Sequence, residues 1–363
     1  MPVLRELLAQ VVELGASDLH LKTNQRPTIR LHADLVQIGE ETLSLDDVAL
    51  MANSIMPIHL RERFSEDHEV DFSLSEEGVG RFRVNTFYSN GFPTIAMRHV
   101  KTAIPDFEGL HLPLILKDLA LVRSGIILAA GTTGSGKSTT LAALLQHINR
   151  NLKRRIITIE DPIEYVFEDN QSVISQREVG LDTPTFRSAL RHVLRQDPDI
   201  IMIGEMRDSE SFMAALSAAE TGHLIFSTLH TGDASQSIQR ILDFFPSAEH
   251  EQIRMSLMNT LRGVICQRLV PGINVGVVPA VELLINTPTV RKLLEKNLLE
   301  KLPAAIETGT ADGMQTFDQA IYSLIKSGTI TEEEGMARCT NAEALKMNLK
   351  GIFLDESRRI LST

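Results

Sequence analysis

Leu4, Leu7, Leu8 and Val11 recur near the 3.6-residue period with polar residues between them, and Gly15 follows. The spacing predicts an amphipathic helix that the glycine ends. From "SDLHLK" through "PTIRLHADLVQIG" apolar and polar positions mostly alternate, and "EVDFSLSEEGVGRFRVNTFYSNG" reads as two more alternating strands around a Glu-Gly turn. A small antiparallel sheet with helices against it is expected. In "GRFRVN" the alternation turns Phe82 and Val84 inward and aims Arg81, Arg83 and Asn85 at the other face.

The pattern changes after "KTAIPDFE", a proline-bearing stretch without periodicity. The later apolar runs, "GIILAAG", "RRIITIED", "DIIMIGE" and "HLIFSTLH", are unbroken, as in strands covered on both faces. Helix-like segments alternate with them, which predicts an α/β domain with a largely parallel sheet. From Pro288 the chain reads as helices joined by polar turns. The expected division is an N-terminal α+β domain over 1–99, a linker over 100–106, an α/β core over 107–287 and a C-terminal helical region over 288–363.

Composition sharpens this in three respects. The 363 residues are 43% hydrophobic, enough for more than one core. The net charge of -11 supplies no general basic field for a polyanion, so direct nucleic-acid binding is not expected. The two cysteines, Cys266 and Cys339, are far apart and form no CxxC pair, against a disulfide framework or a cysteine-built zinc site, and a reducing cytoplasm fits. Arg5, Glu6 and Glu13 interrupt the first apolar pattern, which is unlike a signal peptide, and no stretch supplies the roughly 18 uncharged residues of a membrane span.

The candidate chemistry begins at "GTTGSGKS", Gly131 to Ser138, which matches GxxxxGK[ST] between a buried strand and the helical "STTLAALLQHI". Gly131, Thr133, Gly134, Ser135, Gly136 and Thr139 would line a phosphate cradle, because missing side chains let backbone N–H groups and the helix N-terminus approach the negative charge. Lys137 would reach the β and γ phosphates and Ser138 would offer its hydroxyl to Mg²⁺. Hydrolysis needs further groups at neighbouring strand ends. "ITIEDPIEY" supplies Glu160, Asp161 and Glu164, and "DIIMIGEMRD" ends an apolar strand at Glu205, where a metal-site carboxylate belongs. His223 and His230 flank one strand roughly 23 Å apart, too far to share an ion. A lone strand-end histidine such as His230 is more often a satisfied hydrogen-bonding residue than a catalyst.

Taken in order, "ASDLHL", "GTTGSGKSTT", "TIEDPIEY", "GEMRD", "AAETGH" and "STLHT" resemble the secretion-superfamily motor ATPases, in particular their type IV pilus retraction branch, over nearly the whole chain. The resemblance implies a PAS-like α+β N-terminal domain, a RecA-like P-loop ATPase domain with C-terminal helices, and a homohexameric ring. It implies ATP and Mg²⁺ as ligands, with Glu164 orienting the attacking water, Glu205 holding the cation and His230 sensing the γ phosphate. Arg81, Arg83 and Arg98 would approach the nucleotide. It further implies twitching motility, a cytoplasmic protein held at the inner membrane by a pilus platform protein, and a paralogous pilus ATPase as an alternative identity or partner. Arg187, Arg191 and Arg195 recur every four residues, a stripe on one helix face that reads equally as a solvated face or, in the ring the resemblance implies, as a contact between subunits near the nucleotide edge. "PTVRKLLEK" at Pro288 departs from the corresponding segment of the retraction branch, which concerns output more than chemistry. A small-molecule P-loop kinase, a nucleotide-gated scaffold and a RecA-like DNA translocase are the competing classes.

Overall fold

The structure, a computed structural model, describes residues 4–31, 34–100 and 103–352. Lys101 and Thr102 of the expected linker, and 353–363 of the expected C-terminal region, lie outside the described residues. By internal contact the chain divides into two units. One runs through Ala103 and also takes Ile163–Val166 and Gly180–Asp182; the other is the remainder from Ile104.

The first unit is built on six strands, β1 (Asp18–Lys22), β2 (Thr28–Leu31), β3 (Asp34–Gln37), β4 (Glu69–Glu76), β5 (Gly80–Ser89) and β6 (Phe92–Val100). They form one antiparallel sheet in the order β3-β2-β1-β6-β5-β4. The helix Leu4–Glu13 buries Leu7, Leu8 and Val11, and Gly15 leaves it at a φ of 67°. With Val48, Met51 and Ala52 of the helix Leu45–Ile55, these side chains pack on Leu19, Leu21, Phe82, Val84, Ile95 and Met97, all on one sheet face. The period of two thus sends Phe82 and Val84 inside and leaves Arg83 exposed.

The second unit adds β7 (Gly125–Ala130), β8 (Arg155–Glu160), β9 (Val173–Glu178), β10 (Ile200–Ile203), β11 (Leu224–Leu229), β12 (Leu261–Pro271) and β13 (Val277–Ile285). Their order is β13-β12-β7-β11-β10-β8-β9, parallel throughout except for the β12–β13 pair. Every residue of β7 is buried: Ile126, Leu128 and Ala130 feed one core and Ile127 and Ala129 the other. An apolar run without alternation is the consequence of having helices on both faces. The helices beyond Pro288 add Val290, Leu294, Leu302, Ile306, Phe317 and Ile321 to the first of these cores. Side chains cap their starts at Thr287, Thr316, Thr331 and Asn341.

The arginine stripe is shorter than its spacing suggested. The helix ends at Val193, so Arg195 falls in the 3₁₀ turn Leu194–Gln196, out of phase with the other two. Arg187 and Arg191 pair within the chain with Glu210, at 2.5 and 3.5 Å.

Candidate nucleotide site

The loop between β7 and the helix Lys137–Asn151 lies at the carboxyl edge of the central strand, flanked by β11 and β12. Its glycines are required for two different reasons. Gly131, Gly134 and Gly136 have φ values of 150°, 79° and 90°, where a side chain is strained. At Gly131 contact adds to this: a Cβ there would lie 2.4 Å from Ser135 Oγ and 2.7 Å from the carbonyl of Gln267. Gln267, inside β12, also donates from its side-chain amide to Thr140 Oγ1 at 2.8 Å, so β12 holds both ends of the loop. Sequence reasoning passed over Gln267; the signal was a polar residue inside the apolar run "VICQRLV".

The cradle fits a phosphate ligand. The helix begins at Gly136 with no side-chain cap, so its first N–H groups keep their positive end open. Ser135 Oγ is buried without a protein partner. Lys137 is buried and donates to the carbonyls of Gly131 at 2.8 Å and Thr132 at 2.9 Å, which folds the ammonium over the loop. Burial lowers its pKa, while attraction to Glu205 opposes the shift. Ser138, by contrast, is exposed on the first turn, as are Thr133 and Gly134 on the loop; Thr139 is half-buried.

Glu205 follows β10 by two residues and is held from the next strand: Thr228 Oγ1 of β11 donates to the carbonyl of Gly204 at 2.7 Å, and Met206 N to that of Thr228 at 3.4 Å. Its carboxylate meets Arg207 at 2.7 Å and His230 Nε2 at 3.3 Å. Burial would raise the Glu205 pKa, but the Arg207 hydrogen bond and charge, with His230 and Lys137, outweigh it and leave the carboxyl below its ordinary range. Lys137, Glu205 and His230 are thereby brought together. Among the described residues no group of three or more His, Cys, Asp or Glu could hold an ion unaided. The Ser138 hydroxyl and the Glu205 carboxylate are hard oxygen donors of the kind Mg²⁺ takes.

The remaining candidates fall elsewhere. Glu160 is buried at the end of β8 and accepts from Thr158 Oγ1 at 2.6 Å and Gln176 Nε2 at 3.2 Å, so it is committed to the sheet. Glu164 is exposed, follows the cis Asp161–Pro162 bond, and lies in the segment that groups with the first unit. Arg81, Arg83 and Arg98 belong to that unit too. There Arg83 and Arg98 are cross-strand neighbours, and Arg98 Nε donates to Asp18 at 2.8 Å. His223 turns from the site, its Nδ1 lying 2.9 Å from the carbonyl of Ala218.

A glycine loop between the central parallel strand and a helix, with an acid and a histidine at the next two strand ends, defines a RecA-like P-loop nucleotide-binding domain. A family model described as Type II/IV secretion system protein matches residues 1–298, and the chain belongs to that family. It is 43% identical to the type IV pilus retraction ATPase PilT of Pseudomonas aeruginosa, over 90% of this chain and 95% of that one. Identity to the type IV pilus ATPase PilU of the same organism is 40%, over 95% of this chain and 91% of the relative. A crystal structure of the pilus retraction motor PilT with bound ADP superposes with a TM-score of 0.87 at 43% identity, covering 94% of this chain and 98% of that one. The fold is therefore the expected one, an α+β domain followed by a P-loop ATPase domain.

Proposed function

We propose that the chain is a motor ATPase that hydrolyses ATP to power type IV pilus retraction, working as a homohexameric ring. The observation that carries the reading is the convergence of Lys137, Glu205 and His230 on one phosphate loop, in a chain similar to PilT over nearly its whole length. Lys137 exchanges its loop carbonyls for β and γ phosphate oxygens, and the uncapped helix start receives the same charge. Ser138 and Glu205 would hold Mg²⁺, which would offset charge on the phosphates. Arg207 and His230 keep the Glu205 carboxylate ionised and in place, and His230 lies where loss of the γ phosphate changes its surroundings. Glu164 orients the attacking water.

Arg81, Arg83 and Arg98 approach the nucleotide from an N-terminal unit, so binding favours one arrangement of units and hydrolysis another. A nucleotide moves protein only through such a difference in affinity. The ring acts at the cytoplasmic face of the inner membrane through a platform protein, since the net charge of -11 disfavours direct contact with anionic lipid. No helix among the described residues is long and apolar enough to cross a membrane.

A second reading, an accessory pilus ATPase, is favoured by the PilU match, which covers slightly more of this chain. Deletion of the gene tests both. Cells whose pili extend but do not withdraw support the retraction motor. Withdrawal that persists and weakens only under load supports the accessory role, and undisturbed withdrawal contradicts both.

A further inference from the structure

We infer that Glu282 is a positioning residue for turnover: from the edge strand β13 its carboxylate holds the start of the helix that follows the His230 turn. The inference rests on His230 reading the γ phosphate. Glu282 is 9% exposed, and its Oε1 accepts the N–H of Ala234 at 2.9 Å. Ala234 opens the helix Ala234–Leu242, four residues after His230. The intervening residues bond locally: Thr231 Oγ1 meets Ser237 Oγ at 2.6 Å, and Asp233 caps Gln236 N at 2.7 Å. The Glu282 bond instead ties this turn to a separate strand. Across the β12–β13 pair Glu282 faces Cys266, and the next residue, Gln267, supports Thr140 and borders Gly131. One antiparallel pair thus braces the phosphate loop and the His230 turn together.

The charge on Glu282 is finely balanced. Asp233 from the turn, Arg268 from β12, Asp318 from the helix Phe317–Lys326 and the Cys266 thiol surround it. Burial, with the carboxylates of Asp233 and Asp318, raises its pKa to about 7 against the pull of the Ala234 N–H and Arg268. An ionised carboxylate accepts more strongly than a neutral carboxyl, so the hold on Ala234 tightens as pH rises through that value.

ATP turnover of the full-length, assembled protein tests this in Glu282→Gln and Glu282→Ala, each alone and combined with His230→Ala. Glu282→Ala is expected to lower kcat about tenfold above neutral pH, the effect of one buried hydrogen bond, with KM for ATP and affinity for ADP within about twofold. Glu282→Gln keeps an acceptor but never ionises. Its kcat should therefore stay flat across neutral pH at the parent's acid-side value, between Glu282→Ala and the parent at alkaline pH. With His230→Ala present, neither change should lower kcat further. A Glu282→Gln profile with the parent's rise near neutrality overturns the inference, as do effects that multiply with an impaired His230→Ala. If His230→Ala turns over ATP at the parent rate, the reading of His230 falls and takes this inference with it.

Discussion

At the scale of the residue, Lys137 shows how a buried ammonium is kept until a ligand arrives. Two loop carbonyls accept from it and Glu205 attracts it, so removing it costs the phosphates their main cation while the core is untouched. Lys137→Ala should weaken ATP binding about a hundredfold, on the scale of charge-assisted hydrogen bonds. Glu164→Ala, at an exposed carboxylate outside that network, should bind ATP within about twofold of the parent and lose turnover. Equilibrium binding and phosphate release read the two separately, and turnover at the parent rate in Glu164→Ala would remove that residue from the mechanism. Glu282 sets a pH dependence of stability. Its folded pKa of about 7 exceeds the ordinary 4.5, so between those values the folded chain keeps a proton the unfolded chain has lost. Stability should therefore fall as pH rises through that window, by on the order of 3 kcal/mol. Urea unfolding of Glu282→Gln should lack this slope, and an unchanged slope would place the titration on another group.

At the scale of the element, the phosphate loop was legible because its demands are local. Three left-handed backbone positions, a lysine and a hydroxyl in fixed order can be met by few residue types, and "GTTGSGKS" spells them out. The contact of Gly131 with β12 was not legible, since it joins residues more than a hundred positions apart. Gly131→Ala should therefore disturb the loop more than Gly134→Ala. Both strain the backbone, but only the first drives a Cβ into Ser135 and Gln267, whereas at Gly134 nothing lies within 4 Å. ADP affinity measured on both variants checks this, and equal losses would show that backbone strain alone sets the cost. The pair β12–β13 was itself missed. "LRGVICQRLVP" and "VVPAVELLI" interrupt their apolar runs with Gln267 and Glu282, the two residues the site uses.

At the scale of the whole molecule, the nucleotide loop and the three arginines belong to different compact units. If each pocket is completed by a neighbouring copy, specific ATPase activity should rise with protein concentration until the ring is assembled. Arg81, Arg83 and Arg98 changed singly to Ala should lower the assembled rate without altering binding to the isolated chain. Activity that is independent of concentration would contradict the shared pocket. Arg98 already donates from Nε to Asp18, which leaves its terminal guanidinium nitrogens for a phosphate.

The sequence by itself determined whatever repeats along the chain or is confined to a few neighbouring residues. That includes the period-two strands of the first unit, the unbroken apolar strands of the second, the glycine loop and the strand-end position of Glu205. Periodicity and turn chemistry are properties of a short window, and a short window suffices to read them. Only the tertiary structure decided which carboxylates face the loop and which are spent on packing. Glu160 and Glu205 both end apolar strands, yet the first bonds into the sheet and the second meets Arg207 and His230. Gln176 of the neighbouring β9 reaches Glu160 and His230 at the end of the neighbouring β11 reaches Glu205, so strand order, which no short window of sequence contains, separates the two acids.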